Sequence, residues 1–361
     1  MRQPATIAFV SASLDILGGH GIQTKALMGH LRSNGYRTYL VPINPRFPII
    51  LGWLRKVPYA RTILNEFLYI LTLPRLMRAD VVHVCSASYF SFLLGPVPAL
   101  VCAWLMRKRV ILNYRSGEAE DHLAHWGVLV HPFLRLADEI VVPSPFLHDV
   151  FARFGYETRV IENIVDTSTF CFHERVPLRL RLLSARNLEP HYRVGDIIEA
   201  FVLLRKKHPE ARLVIAGSGS EEHRLHGLAE SLGAEGIDFV GRYQPSQAPE
   251  LYANADIFVN AAIIDNQPNS ILEAFASGLP VVSTPTGDIA SMLGGGDFGI
   301  LVPPGNPETI AKTVEKMTAD PEGTCAMTRR ALRSLHRFSW EEVRQKWFAA
   351  YGASDSFTAV A

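Results

Sequence analysis

The sequence predicts an α/β protein made of two Rossmann-like domains, and three observations lead there. Short apolar runs rich in Val, Ile and Leu alternate with helical patterns along most of the chain. Such alternation marks parallel strands covered on both faces. The series runs through once, breaks, and runs through again, and 361 residues exceed what one core usually organises. Two series therefore read as two sheets, not one very wide sheet.

In the first half, strands are expected at "TIAFVSA", "YRTYLVP", "DVVHVC", "RVILNY" and "EIVVPS". Between the third and fourth lies "YFSFLLGPVPALVCAWLM", residues 89–106, nearly the length that a membrane-spanning helix needs. Pro96 and Pro98 sit near its middle and strand-like runs flank it, so a helix buried inside the α/β domain is the expectation. The earlier stretch "RFPIILGWLRKVPYARTILNEFLYILTLPRLMR" mixes aromatics with Arg46, Arg55, Lys56, Arg61, Arg75 and Arg78. That mixture suits either an anionic bilayer surface or a solvated basic face over a packed apolar one, and both readings stay open.

After "VIENIVDTSTF" the periodicity fails, and a linker is expected at about residues 165–180. The second series follows as "RLLSA", "ARLVIAG", "IDFVG", "DIFVNA", "LPVVST" and "GILVPP". The C-terminal "FSWEEVRQKWFAAYG" reads as an aromatic-rich helix capped by Ser339, with Glu342 completing a capping box. The tail beyond Gly352 is expected to fray. The expected domains are residues 1–170, 171–337, and a terminal segment 338–361 whose helix crosses back to the first domain.

A formal net charge of +1 supplies no global field that would draw in nucleic acid. Cys85, Cys102, Cys171 and Cys325 lie far apart without a CxxC pair, which argues against disulfides and structural zinc. The N-terminus lacks the charged head and long apolar body of a signal peptide. A reduced, cytoplasmic protein is the resulting expectation, with a peripheral seat at the inner membrane face as its extension.

Three stretches are placed for chemistry, because open α/β sheets bind ligands beyond the carboxyl ends of their strands. "GGHG" opens directly into a helix, where Gly19 and its neighbours let backbone N–H groups approach an anion. It is not GxGxxG, so a nicotinamide fingerprint is absent. In "GSGSEEHRL", Gly217, Ser218 and Gly219 form a second backbone nest between strand and helix. Just upstream, Arg186 and Arg193 bracket the end of one strand and the start of the next helix, and paired guanidinium groups suit a diphosphate. The third stretch, "DNQPNS" running into "ILEAFASG", carries Asp265 in a loop and Glu273 in the first turn of a helix that Asn269 or Ser270 is expected to cap.

Taken together, "NADIFVN", "EAFASGLPVVST" and "FGILVPPGNPE" resemble the donor-site core of the retaining GT-B glycosyltransferases of family 4. "GGHG", "ADEIVVPSPFLHDVFARFG", "VIENIVDTSTF", the Arg186 strand end and "GSGSEEHRL" follow in the order that family uses, over residues 5 to about 350. The resemblance implies a GT-B fold, two Rossmann-like domains facing each other across a deep cleft. It implies a retaining transferase that moves a sugar from a nucleotide-diphosphate sugar, as co-substrate, to a hydroxyl acceptor. The acceptor is left open between lipid-linked, polysaccharide and small-molecule forms. The resemblance implies no cofactor and a mechanism that needs no DxD metal pair, and none is present in the sequence. Glu273 resembles the acid that holds the donor ribose, Asp265 stands where an acid facing the transferred sugar is expected, and Arg186 resembles the diphosphate-binding arginine. Tyr192 takes the place of an accompanying lysine, leaving Arg193 to supply that charge, and Asp288 replaces a common glycine.

On the first domain, a family histidine that contacts the sugar is expected near "RVILNYRSGEAEDHLAHWG", where this chain offers Asn113, Tyr114 and Arg115. Arg115 stays protonated and is no base, so a role in stabilising negative charge follows. The bland alternative pairs it with Glu118 or Glu120, and His122 is the other candidate. Peripheral membrane contact through this domain is also left open. Rival classes are a GT-B nucleotide-sugar 2-epimerase, a nicotinamide-dependent oxidoreductase, and a degenerate protein that binds sugar nucleotides without catalysis.

Overall fold

The computed structural model describes residues 5–14, 18–48, 53, 57–86 and 88–352. Arg55, Lys56 and the tail 353–361 lie outside the described residues. The chain divides into two compact units, Met1–Ile164 with Trp340–Ala361, and Val165–Ser339. The division at Ile164 falls a few residues before the expected 170.

Unit one carries strands β1 (Thr6–Ser11), β2 (Arg37–Pro42), β3 (Val81–Cys85), β4 (Arg109–Asn113), β5 (Glu139–Val142) and β6 (Arg159–Val160). They form a parallel sheet in the order β2-β1-β3-β4-β5-β6. Alternate residues of β1 feed two different cores. Ala8 and Val10 join Val82, Val84, Leu112, Phe92 and Leu100 on one face. Ile7 and Phe9 join Leu27, Leu31, Ile111 and Val141 on the other. Burial on both faces explains the near-continuous apolar runs in the sequence. β6 is a two-residue strand that the sequence reading passed over, hidden in what reads as the approach to the linker.

Residues 89–106 depart from the single buried helix that was expected. Two helices, Tyr89–Leu94 and Pro96–Leu105, meet at Gly95. The cause is local: Pro96 cannot donate a helical hydrogen bond and takes the first position of a new helix. Ala99, Leu100 and Ala103 pack into the core, whereas Trp104 and Leu105 face out.

The C-terminal helix Trp340–Ala350 belongs to unit one. Trp340, Val343, Trp347 and Ala350 recur at helical spacing and pack with Ile7, Phe9 and Leu27.

Unit two carries β7 (Arg181–Ala185), β8 (Arg212–Ala216), β9 (Ile237–Gly241), β10 (Ile257–Asn260), β11 (Val281–Ser283) and β12 (Ile300–Leu301). The parallel order is β12-β11-β10-β7-β8-β9. Again alternate residues part: Leu182, Leu213 and Val259 enter one core, and Leu183, Phe258 and Val281 the other. The helix Asn269–Ser277 ends on Gly278, whose φ of 75° is the left-handed cap that glycine accepts most readily. Buried Arg175 donates to the carbonyl oxygens of His173, Ala255, Tyr252 and Ser277, and so fastens the incoming chain to that helix end.

Candidate functional site

Strand order in unit two reverses direction between β7 and β10, the kind of switch point at which α/β sheets open a crevice. Arg186 follows β7 and Asp265 lies in the loop after β10, so sheet topology alone brings them together. The Arg186 side chain is only 8% exposed and pairs with Asp265. Its Nη1 donates to Ser270 Oγ at 3.0 Å. Its guanidinium carbon sits 4.2 Å from the centre of the Tyr192 ring. Nε of the same guanidinium is buried without an acceptor. A buried donor left unmade is costly, by about 1–3 kcal/mol, unless a ligand supplies the acceptor.

Ser270 therefore serves Arg186 and does not cap the helix. The helix Asn269–Ser277 has Pro268 in the cap position and no side-chain cap, which corrects the capping expected of Asn269 or Ser270. Proline at that position carries no side-chain oxygen, and Asn269 is already the first helical residue.

Glu273 was expected in the first turn, but the helix begins at Asn269, so Glu273 is its fifth residue, one turn in; it is half-buried, with Tyr252 as hydrogen-bond partner. Burial raises its pKa above the ordinary carboxylate value, against a partial pull from the Tyr252 hydroxyl and the Arg186 charge. The Tyr252 hydroxyl also lies 3.2 Å from the carbonyl oxygen of Ser270. Asp265 has a second partner in the backbone N–H of Asn266, at 2.8 Å.

The glycine pair Gly217 and Gly219 has a different explanation from the one expected. A Cβ on Gly217 would overlap the carbonyl oxygen of Arg186, and one on Gly219 the backbone of Leu188. Gly217 N–H already donates to Gly241 at 2.8 Å, and Ser218 C=O accepts from Leu188 N–H at 3.1 Å. These residues press their loop against the Arg186 segment, and the N–H of Gly217 is spent within the fold. Gly287 acts likewise, with φ of 59° and no room for a Cβ beside Asp265. Sequence reasoning passed over Gly287, noticing only Asp288 next to it.

Arg193 does not join the cluster. Its side chain, 44% exposed, binds Asp196 in the first turn of the helix that it precedes, with Nη2 to Oδ1 at 2.9 Å and Nε to Oδ2 at 3.1 Å. Tyr192 holds the place beside Arg186 instead. Tyr252 and Tyr243, both near Glu273, were also missed. Only their aromatic character hinted at them, and aromatics usually mean core.

In unit one, Gly18 precedes the helix Gly19–Ser33, so Gly19 and Gly21 lie inside its first turn and not in a loop. First-turn N–H groups have no intrahelical acceptor. Arg115 follows β4. Its Nη1 donates to Asn163 Oδ1 at 2.6 Å and its Nε to Asn113 Oδ1 at 3.2 Å. Neither Glu118 nor Glu120 is its partner, and Glu120 binds Arg153 at 2.8 Å. Among the described residues no carboxylate pairs with Arg115.

Behind Arg115 runs a chain of fixed hydrogen bonds. Asn113 turns its oxygen to Arg115, so its amide nitrogen faces His83 Nε2 at 3.1 Å. That ring nitrogen must accept, which leaves the proton on Nδ1, 2.8 Å from the Tyr351 hydroxyl. Burial, then the Arg115 charge, lowers the His83 pKa to about 3, so the ring is neutral. His122 is fully buried, bound to the Tyr114 hydroxyl at 2.9 Å, and held neutral by burial with a pKa of about 4. It is a core histidine.

Comparison with known proteins adds to this geometry. Residues 17–169 match the family model described as Glycosyltransferase Family 4, and residues 175–334 that described as Glycosyl transferases group 1. The lipopolysaccharide core biosynthesis glycosyltransferase LpsE of Rhizobium meliloti is 28% identical over 279 residues, 74% of this chain and 78% of that one. The alpha-monoglucosyldiacylglycerol synthase of Streptococcus pneumoniae is 24% identical over 319 residues, 80% of this chain and 69% of that one. The crystal structure of HepE from Anabaena in complex with UDP-glucose superposes with a TM-score of 0.75 at 16% identity, over 97% of this chain and 100% of that one.

Proposed function

The chain belongs to the group 1 glycosyltransferases and has the GT-B fold, and from that premise we propose a retaining, metal-independent transfer of a sugar from a nucleotide-diphosphate donor to a hydroxyl acceptor. One observation carries the donor assignment. The guanidinium of Arg186, buried at the switch point with its Nε unpartnered, is a cation prepared for an oxyanion. The donor diphosphate supplies that anion in this reading. Glu273, one turn into the adjoining helix, accepts from the donor ribose hydroxyls. Asp265 keeps lone pairs beyond those used by Arg186 and Asn266 and takes a hydroxyl of the transferred sugar.

In the reaction the anomeric C–O bond breaks and the diphosphate leaves with its electron pair. The acceptor oxygen bonds to the same face of the sugar, and its proton passes to the leaving phosphate. Arg186 counters the growing phosphate charge, so no divalent ion is required. In unit one, Arg115 is a cation without a carboxylate partner among the described residues, and the reading assigns it to stabilising negative charge on substrate phosphate. A UDP-bound neighbour such as HepE makes a UDP-sugar the first donor to try.

The test is transfer from UDP-sugars in excess EDTA, with the anomeric configuration of the product read by NMR. Full activity with retention is expected, and Arg186→Gln is expected to abolish transfer while leaving the fold intact. Strict metal dependence, an inverted product, or an active Arg186→Gln variant overturns the reading.

A further inference from the structure

The helix Pro58–Thr72 is anchored on one side only. Tyr69 is fully buried and its hydroxyl donates to the carbonyl of Gly95 at 2.8 Å, while Asn65 Nδ2 donates to the carbonyl of Ile43 at 2.9 Å. On the opposite side, Tyr59, Ile63, Phe67 and Ile70 follow one another at spacings of four, four and three, which places them on one face. They are 86%, 71%, 58% and 50% exposed. A solvated basic face over packed apolar residues, one of the two sequence readings, would bury these side chains, and they are out.

Neighbouring elements expose apolar side chains as well. Met77 is exposed on the short 3₁₀ segment that follows the helix. Lys108 Nζ binds the Met77 carbonyl at 2.9 Å, which ties that segment to the end of helix Pro96–Leu105, where Trp104 and Leu105 are exposed. An apolar surface of this extent on a water-exposed face calls for an occupant.

The surrounding charge selects the occupant. Arg75 and Arg78 on the 3₁₀ segment, and Arg107 just past the end of helix Pro96–Leu105, are exposed, and none pairs with a carboxylate among the described residues. The acids on the same elements are Glu66, half-buried with its pKa raised by burial, and Asp80, which accepts the backbone N–H of Thr6 at 2.8 Å. Large exposed apolar side chains with unpaired guanidinium groups on the adjoining segments match the boundary between acyl chains and anionic headgroups. We propose that the Tyr59–Ile63–Phe67–Ile70 face docks this protein on the surface of an anionic lipid bilayer, its apolar side chains entering the acyl boundary and its arginines binding headgroup phosphates. The docking is peripheral: among the described residues no helix is long and apolar enough to cross a membrane. It rests on no part of the transferase reading.

Flotation of the full chain with vesicles tests it. Vesicles of phosphatidylglycerol with phosphatidylcholine are compared with pure phosphatidylcholine. The parent protein is expected to float with the anionic vesicles and at least ten-fold less with the neutral ones. The double substitution Ile63→Ser with Phe67→Ser, and separately Arg75→Ser with Arg78→Ser, should each cut anionic binding ten-fold or more. Both pairs are exposed, and unchanged melting curves will confirm folding. Absence of flotation, equal binding to both vesicle types, or binding untouched by either pair overturns the proposal. So does a parent dimer that Ile63→Ser with Phe67→Ser converts to monomer without any vesicle binding, because the face would then join two copies of the chain.

Discussion

Glu273 holds a carboxyl where burial raises its pKa, and the Tyr252 hydroxyl and Arg186 charge offset that only in part. The folded state therefore grips this proton more tightly than the unfolded chain does. Stability must fall as pH rises from the ordinary carboxylate value through the raised one, and the full penalty persists above it. Below the ordinary value the penalty vanishes. Glu273→Gln removes the charge, so the variant should melt higher than the parent at neutral pH, with the gap closing as pH falls through that window. Its nucleotide affinity should drop at the same time, by about 1.5–3 kcal/mol, since a charged acceptor is lost. Calorimetry and nucleotide titration over a pH series read both effects. Loss of stability at pH 7 with unchanged affinity would make Glu273 a structural residue. Arg115 shows where residue-level reading stops. Its identity and its strand end were legible, but its partner Asn163 lies 48 positions away, and only the folded sheet brings the two together.

Loops at strand ends obey packing before they obey ligands. Gly217 and Gly219 were legible as a glycine loop at a strand end, yet the reason for them is the backbone of Arg186 and Leu188 lying against them. Gly217→Ala should destabilise unit two by about 1–3 kcal/mol and lower donor affinity as well, because relieving the overlap shifts the segment that carries Arg186. Denaturant unfolding alongside donor titration checks this, and a variant with parental stability would refute the packing account. Inner-strand positions were legible because burial on both faces writes itself as continuous apolar runs. β6 was not, having two residues and a charge at its start. The break at Gly95 was visible as two prolines, but reading their effect requires choosing between a kinked helix and a new one. The helix Pro58–Thr72 carried a legible composition and an illegible outcome, since periodicity shows that a helix has a face and not whether anything covers it.

Across the whole molecule, unit two is one continuous segment, Val165–Ser339, whereas unit one is assembled from both ends of the chain. A fragment of residues 165–339 should therefore fold alone with a single cooperative thermal transition. Residues 1–164 alone should not, because Trp340, Val343 and Trp347 would no longer cover Ile7, Phe9 and Leu27. A cooperative melt of the 1–164 fragment would show that the terminal helix is dispensable. That arrangement also fixes a timetable during synthesis. The first 164 residues leave the ribosome before the helix that finishes their core exists. At roughly 5–20 residues per second the wait is on the order of 10–40 s. Over that interval the middle segment can close on itself while the earlier one stays open on one face of its sheet. The part made first is thus completed last, and a nascent chain cut at residue 339 and tethered to the ribosome through an extension long enough to clear the exit tunnel would display a finished second unit and, on the first, an apolar surface that chaperones recognise.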